Sequence, residues 1–167
     1  MAGWERPNWY APDGVSPTYD YSYGRQNWFV YSAEEHLAVR ESVGLFDQSS
    51  FAKFLVQGND AESVLQNICA NDVGVSPGRV VYTAMLNEQA GFEADLTVTR
   101  LSDDAYMVVT GCVTENRVLN WILRCKPTDS HCFVTNVTSA YAELSLMGPK
   151  SRDLLSNLTG TDLSHQV

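Results

Sequence analysis

The stretch MLNEQAGFEADLTVTRL, residues 85–101, is the most informative in the chain because it joins a turn to an alternating strand. Residues 87–91 are of types that favour turns, and polar and apolar side chains then alternate. Alternation with a period of two is typical of a half-buried β-strand. Asp95 stands on the polar side of this strand. It is either a solvated strand residue or a carboxylate around which a binding site is built.

The segments on either side predict that this strand belongs to an antiparallel meander. RVVYTAML, residues 79–86, follows a Pro-Gly turn signal and has the composition of a strand. AYMVVT, residues 105–110, follows an Asp-Asp turn and has the same character. Short loops join the three segments, and strands joined by short loops pair antiparallel with their neighbours.

Apolar residues recur at helical spacing in four other segments, which predicts four helices. These segments are residues 33–46, 59–69, 114–125 and 148–158. Ser32 and Glu35 have the spacing of a capping box before the first helix, and Gly44 supplies its stop. Asn59 or Asp60 caps the second helix.

Three more strands are predicted at residues 51–58, 131–138 and 141–148. Helices that interleave irregularly with an antiparallel sheet predict an α+β fold rather than a doubly wound α/β fold. Residues 1–31 are rich in Trp and Tyr among Gly and Pro, which is too irregular for a helix. We therefore expect an aromatic-rich extended arm over residues 1–31 and a folded domain over residues 32–167. An aromatic cover over the core is favoured for the arm over a ligand-binding aromatic box.

Composition restricts the classes of function. The 167 residues are 44% hydrophobic and 19% charged, as in a folded globular domain. The net charge of −9 opposes binding to nucleic acid, because neutralising phosphates requires clustered Lys and Arg. No run approaches the roughly 18 apolar residues of a membrane helix, and the first residues lack the pattern of a secretory signal. We expect no nucleic-acid or membrane partner.

Common cofactor and catalytic motifs are not found in the sequence. It contains neither G-x-G-x-x-G nor G-x-x-x-x-G-K, so no dinucleotide or P-loop phosphate site is predicted. The four cysteines form no CxxC pair, and three histidines are too few and too scattered to complete a metal site, so reduced structural thiols are expected. These residues are Cys69, Cys112, Cys125, Cys132, His36, His131 and His165. No nucleophile and base are paired by spacing.

Several long stretches together resemble one known family. They are GWERPNWYAP, YGRQNWF, GLFDQSSFAKFLVQGNDAESVLQNICANDV, GRVVYTAMLNEQAGFEADLTVTRL and YAELSLMGPKSRDLLSNLT. The chain resembles the carboxy-terminal, tetrahydrofolate-binding part of the flavin-dependent sarcosine and dimethylglycine dehydrogenases. That part is similar to the aminomethyltransferase T-protein of the glycine cleavage system. The resemblance covers nearly the whole chain.

This resemblance implies an α+β domain that binds tetrahydrofolate and receives a one-carbon unit as an iminium, giving 5,10-methylenetetrahydrofolate. The second aspartate of the T-protein motif falls on Asp95, which is therefore the implied catalytic residue. A fixed carboxylate can stabilise the cationic iminium and accept the proton that amine attack releases. The same resemblance implies that cofactor-binding residues lie at Phe51, Tyr82, Tyr106 and Thr110. For these four, ordinary core or strand-face packing is an equally good interpretation.

The sequence departs from the family at two places. Ala90 replaces the first glycine of an expected pair, so either a positive φ at this position strains the turn by roughly 1 kcal/mol or the turn is of another type. Family members also continue beyond the last residue, and FAD would be bound by a flavin domain of the parent protein that precedes residue 1. We therefore expect a fragment that is inactive alone and binds tetrahydrofolate weakly or undetectably, since part of the pocket is missing while the cost of immobilising the ligand remains.

Three alternative functions stay open, and the simplest is an interaction or structural remnant that retains only the fold. The regulatory subunit of pyruvate dehydrogenase phosphatase resembles the same architecture without catalysis, and a T-protein-like aminomethyltransferase would use the same fold. Retention of a carboxylate at Asp95 favours an enzyme over the regulator. The implied compartment is the mitochondrial matrix in a eukaryote and the cytoplasm in a bacterium.

Overall fold

A computed structural model describes residues 3–164 and divides them into two compact units. The sheet unit comprises residues 48–143, and the terminal unit comprises residues 3–47 with 144–164. Residues 1–2 and 165–167, and with them His165, lie outside the described residues. The predicted division into residues 1–31 and 32–167 stays a prediction.

Within residues 3–164, seven strands and four helices are interleaved irregularly, and the α+β class predicted from the sequence is confirmed. The strands are β1 Gly44–Asp47, β2 Ala52–Gln57, β3 Val80–Leu86, β4 Phe92–Ser102, β5 Ala105–Thr110, β6 Phe133–Asn136 and β7 Leu144–Met147. The helices are α1 Phe29–Glu41, α2 Ala61–Ile68, α3 Glu115–Cys125 and α4 Ser151–Ser156. Two short 3-10 turns, Cys112–Thr114 and Thr138–Ala140, accompany them.

The sheet unit contains five antiparallel strands in the order β3-β4-β5-β2-β6. Neighbours β3, β4 and β5 form the predicted meander. Tyr82 pairs with Thr97, and Leu96 pairs with Thr110, which fixes which side chains share a face. Central strand β5 therefore connects the meander to β2.

One face of this sheet packs against α2 and α3 to form the core. Both helices are amphipathic: apolar residues at helical spacing are buried, while the polar ones face away. Strands β2, β3, β4 and β5 contribute every second residue to the same cluster. Its fully buried members include Phe54, Val56, Leu65, Met85, Val98, Tyr106, Val108, Val118 and Ile122. The other alternation of side chains forms the second face of the sheet, which lies away from the two helices.

The terminal unit contains α1, α4 and a two-stranded sheet. Strand β1 pairs antiparallel with β7, from Gly44 opposite Met147 to Asp47 opposite Leu144. After β7 the chain turns sharply at Gly148, whose φ is +116°. A side chain there would collide with the backbone of Ser42, which also accepts a hydrogen bond of 3.0 Å from the amide of Lys150.

The beginning and end of the first helix differ from the sequence prediction. It begins at Phe29, so Ser32 lies inside the first turn, where its amide donates to Trp28 O at 3.1 Å. The capping-box prediction is wrong because the chain already turns helically before Ser32. Leu45 was assigned to the helix but lies in β1. Its strand conformation depends on pairing with a distant segment, which local spacing does not reveal.

Aromatic residues in the first 31 residues pair mostly with one another. Trp9 stacks on Tyr31 with 5.7 Å between ring centroids, and Tyr19 lies 6.2 Å from Trp28. Tyr21 is 91% exposed, so this ring covers no core. Among the described residues, no helix has the length and apolar character needed to cross a membrane.

Candidate functional site

Asp95 lies on β4, on the face of the sheet opposite the two helices, and its side chain is exposed. Its carboxylate Oδ2 accepts a hydrogen bond of 3.2 Å from the hydroxyl of Tyr82 on β3. Because Tyr82 pairs with Thr97, it is the diagonal cross-strand neighbour of Asp95. Tyr82 is 66% exposed. The structure thus brings these two predicted site residues together as a solvent-facing carboxylate and phenol.

Proximity to Asp95 raises the pKa of Tyr82, first through the hydrogen bond and second through the negative charge. Both effects favour the neutral phenol, which can donate its proton to the carboxylate, over the phenolate. Tyr82 therefore remains a hydrogen-bond donor at neutral pH. It restricts the orientation of the Asp95 carboxylate through Oδ2, while the second oxygen, Oδ1, takes no part in this hydrogen bond.

Replacing Asp95 with Asn is expected to lower the pKa of Tyr82 towards the unperturbed value of about 10. The substitution removes the negative charge that opposes phenolate formation. The measurement is a pH titration of the Tyr Cζ resonance in protein labelled with ¹³C-tyrosine. An unchanged Tyr82 pKa would contradict the hydrogen bond between the two side chains.

Thr110 supports Asp95 from the opposite side of the sheet. It is 3% exposed and belongs to the core face, and its hydroxyl donates to the backbone carbonyl of Asp95 at 3.0 Å. Thr114 Oγ1 lies 3.5 Å from the same hydroxyl and itself donates to Gly111 O at 3.0 Å. Thr110 therefore fixes the backbone at the candidate carboxylate and does not share its exposed face.

Tyr106 is separated from Asp95 by the sheet. It is fully buried on the helix side, where its hydroxyl donates to Glu62 Oε2 at 3.1 Å. Burial, followed by this hydrogen bond, raises the pKa of Tyr106 to about 12. Arg100 lies 5.5 Å from the centre of the ring and 2.9 Å from the same Glu62 oxygen. Tyr106 is thus part of an interior network with Glu62 and Arg100.

Phe51 precedes β2 and is half-buried, and its backbone takes part in an unexpected lysine site. The side chain of Lys53 is only 4% exposed. Its Nζ donates to Phe51 O at 2.8 Å and to Ser49 O at 3.0 Å, and lies 3.8 Å from Glu143 Oε2. These contacts compensate the burial of the ammonium group. Sequence reasoning missed Lys53, although a lone charge inside an apolar strand was a usable signal.

The turn between β3 and β4 is held by the side chain of Asn87. Asn87 Oδ1 accepts the amides of Gln89 at 3.1 Å and of Gly91 at 2.8 Å. Its Nδ2 donates to Glu93 Oε1 at 2.9 Å. The side chain of an Asn at the start of a turn commonly accepts a hydrogen bond from the backbone amide two residues later, so this contact could be predicted from the sequence.

Ala90 occupies the left-handed region in this turn, with a φ of +59°. Of the two possibilities considered for this position, a strained turn or a turn of another type, the structure has the positive φ, which is unfavourable for a residue with a Cβ atom. We expect Ala90→Gly to raise the free energy of unfolding by about 1 kcal/mol. Urea denaturation checks this value.

Gly78→Ala is the control for this substitution, because it adds a Cβ atom at a left-handed position instead of removing one. Its φ is +87°, and no atom lies within 4 Å of a Cβ built on it. Gly78→Ala should therefore lower the free energy of unfolding by about 1 kcal/mol through backbone strain alone. If Ala90→Gly instead lowered the free energy of unfolding, the turn would not require a left-handed conformation at residue 90.

Residues 1–167 match the family model described as the GCVT N-terminal domain. The chain belongs to this family. The aminomethyltransferase T of the glycine cleavage system from Bartonella henselae superposes with a TM-score of 0.71 and 25% sequence identity. The match covers 84% of this chain and 39% of that one. The T-protein fold expected from the resemblance is confirmed.

A curated relative of this GCVT N-terminal domain is an oxidase. The 4-methylaminobutanoate oxidase (formaldehyde-forming) of Paenarthrobacter nicotinovorans is 48% identical over 165 residues. These residues are 99% of this chain and 20% of that protein. The chain therefore spans about a fifth of the length of the curated relative it matches.

Three of the four thiols contribute little reactivity to this GCVT N-terminal domain. All four cysteines are free. Burial raises the pKa of Cys69 to about 12, and it also raises the pKa values of Cys125 and Cys132. Since the thiolate is the reactive form, these three are poor nucleophiles. Within residues 3–164 no group of three or more His, Cys, Asp and Glu could hold a metal ion.

Proposed function

We propose that this chain is the folate-side domain of a flavin-dependent oxidase or dehydrogenase of N-methyl amines. In this proposal an iminium formed by oxidation at the flavin transfers its carbon to tetrahydrofolate and gives 5,10-methylenetetrahydrofolate. The observation that carries the proposal is the exposed Asp95 carboxylate, held by Tyr82 on the second face of a T-protein-like sheet. The 4-methylaminobutanoate oxidase relative supports the oxidase part of the proposal.

The chemistry requires one group with two properties, and Asp95 has both. A carboxylate stabilises the positive charge of an approaching iminium. A first folate nitrogen bonds to the iminium carbon and loses a proton, which the same carboxylate can accept and return to the substrate amine. A second folate nitrogen then displaces that amine, so the carbon ends bonded to both folate nitrogens and the demethylated amine leaves. Asp95 is exposed, so a ligand can reach it without opening the core. Tyr82 keeps one carboxylate oxygen in place by donating to it.

The other predicted site residues have different roles in the proposed site. Thr110 is a positioning residue, because its hydroxyl binds the Asp95 carbonyl rather than a ligand on the exposed face. Tyr106 lies within the interior network, so we do not include it among the groups that touch folate. A contact between Phe51 and folate stays a prediction. FAD would be bound by another part of the parent protein.

An NMR titration with 5-formyltetrahydrofolate, a stable reduced folate, tests the proposal on the chain itself. NMR detects the weak, millimolar binding that we expect for this segment alone, where the binding free energy is only about −4 kcal/mol. Saturable shifts should appear in the amides of β3 and β4 around Tyr82 and Asp95 and should be lost in Asp95→Asn. Shifts confined to other strands, or equal shifts in the variant, would contradict the proposal.

An aminomethyltransferase is the second candidate, and the structural match to aminomethyltransferase T favours it. The two candidates share the folate-side chemistry and differ in the donor of the one-carbon unit. Full-length protein that reduces a flavin in the presence of an N-methyl amine supports the oxidase. Transfer that proceeds only from an aminomethyl group carried by a partner protein supports the aminomethyltransferase.

A further inference from the structure

Helix α3 is tied to the β3–β4 turn by an ion pair that the proposed chemistry does not use. Arg117 contacts one oxygen of Glu93 through two nitrogens, Nη2 at 2.7 Å and Nε at 3.2 Å. The other Glu93 oxygen accepts Asn87 Nδ2 at 2.9 Å. Each oxygen of this carboxylate therefore has its own donor, and the carboxylate joins a helix to a turn.

Glu93 sits at an irregular position of β4. Met85 pairs with Ala94 and Leu86 pairs with Phe92, so Glu93 is the extra residue of a β-bulge. Bulges bend a strand and redirect the side chains that follow. Asp95 comes two residues after Glu93 on the same strand. The direction of the Asp95 side chain therefore depends on how this bulge is held.

We propose that Arg117 is a positioning residue for Asp95, acting through Glu93 and Asn87 on the bulged start of β4. This inference rests on the proposed function, because it gives the ion pair a role at the same site. The Glu93 side chain is 16% exposed, whereas that of Arg117 is 60% exposed. Pairs as exposed as this one add little to stability, so the role that remains is orientation.

Other charges near Glu93 do not replace this contact. Arg117 is the main cause of the lowered pKa of Glu93, followed by the Asn87 hydrogen bond, while the charge of Arg124 on the same helix has a smaller effect. Arg124 lies over the ring of Trp121, 4.8 Å from its centre. Arg117 is therefore the arginine that connects α3 to the turn.

Arg117→Met tests the proposal through the pKa of Tyr82, which reports the contact between Tyr82 and Asp95 without any folate. Removing a positive charge should by itself raise a phenol pKa. Loss of the correct Asp95 position should instead lower it, as is expected for Asp95→Asn. The expected result is a lowered Tyr82 pKa together with a folate affinity reduced on the order of tenfold. A reduction of that size is typical when a residue that orients a ligand-binding group is lost.

Three further variants complete the experiment. Arg117→Lys keeps the charge and should restore much of the Tyr82 pKa. Asn87→Ala changes no charge, and it should also lower this pKa if Arg117→Met fails to fold. Arg79→Met removes an exposed arginine just before β3 and should lower neither the Tyr82 pKa nor the folate affinity.

Two outcomes decide between the inference and the proposed function. A Tyr82 pKa in Arg117→Met that is unchanged or raised would overturn the positioning role, whatever happens to folate. A lowered pKa together with folate shifts that do not depend on Asp95 would leave the positioning role intact and contradict the proposed function.

Discussion

Asp95→Asn is expected to slow one-carbon transfer to tetrahydrofolate by about 10²–10⁴-fold in a protein that joins this segment to a flavin domain, since a positioned acid or base contributes a factor of that size. Asn has the shape of Asp and can still accept the Tyr82 hydroxyl, but it cannot take up a proton or oppose a positive charge. The measurement is the yield of 5,10-methylenetetrahydrofolate against formaldehyde, the product of iminium hydrolysis. Formaldehyde should rise as transfer falls.

Asp103→Asn is the matched control for this experiment. Asp103 follows the same strand, and its side chain is 95% exposed. This variant should leave the product ratio unchanged. It removes one negative charge, as Asp95→Asn does, but not from the pair formed by Asp95 and Tyr82. If Asp95→Asn gives the wild-type ratio of methylenetetrahydrofolate to formaldehyde, the carboxylate is not the group that accepts the proton.

Gly58→Ala is expected to lower the free energy of unfolding by about 3–5 kcal/mol, a large part of the 5–15 kcal/mol typical of a domain. The φ of Gly58 is +123°, a value that residues with a Cβ atom avoid. The added methyl group would also overlap the carbonyl group of His131. That carbonyl accepts the amide of Asp60 at 3.1 Å, so moving it breaks the turn that leads into α2.

Urea denaturation of Gly58→Ala and Gly78→Ala separates these two causes. Both glycines have positive φ, but only Gly58 lacks room for a side chain. The difference between the two losses therefore measures the collision with His131. Equal losses would mean that the loop containing His131 moves aside at no cost.

The meander could be predicted because its determinants are local. Turn residues separate three segments in which polar and apolar residues alternate, and this alternation predicts which side chains share a face of the sheet. Asp95 was therefore placed correctly on the polar side of β4, and its pairing with Tyr82 follows once the register is known. The second helix was predictable for the same reason, since its apolar residues repeat at helical spacing. Asp60 occupies the N-cap position as predicted, but its carboxylate does not cap the helix and instead accepts the amide of His131 at 2.6 Å.

Tyr106 and Thr110 show where sequence patterns stop being informative. Strand β5 is buried along most of its length, so it lacks a polar alternation that would identify the helix-facing side. The side is fixed only by pairing, which sets Val56 opposite Tyr106 and Leu96 opposite Thr110. A resemblance can align such residues with a pocket, but only the register reveals which face they occupy.

Contacts between distant segments were the other part that the sequence did not predict. Arg117 meets Glu93 across 24 positions of sequence, and Lys53 approaches Glu143 from β2. Neither pair follows a helical or strand spacing, so no periodicity marks it. Both lie near the ends of strands, where the course of the backbone depends on tertiary packing rather than on local propensity.

Pairing of β1 with β7 has a consequence for biosynthesis. Gly44 leaves the ribosome roughly a hundred residues before its partner Met147, and closing so long a loop costs entropy before any contact offsets it. Residues 48–143 are continuous and already contain a core, so they can collapse while translation continues. During that interval β1 exposes unpaired amides and carbonyls, the usual template for aggregation. A message that stops before codon 144 would make this hazard permanent.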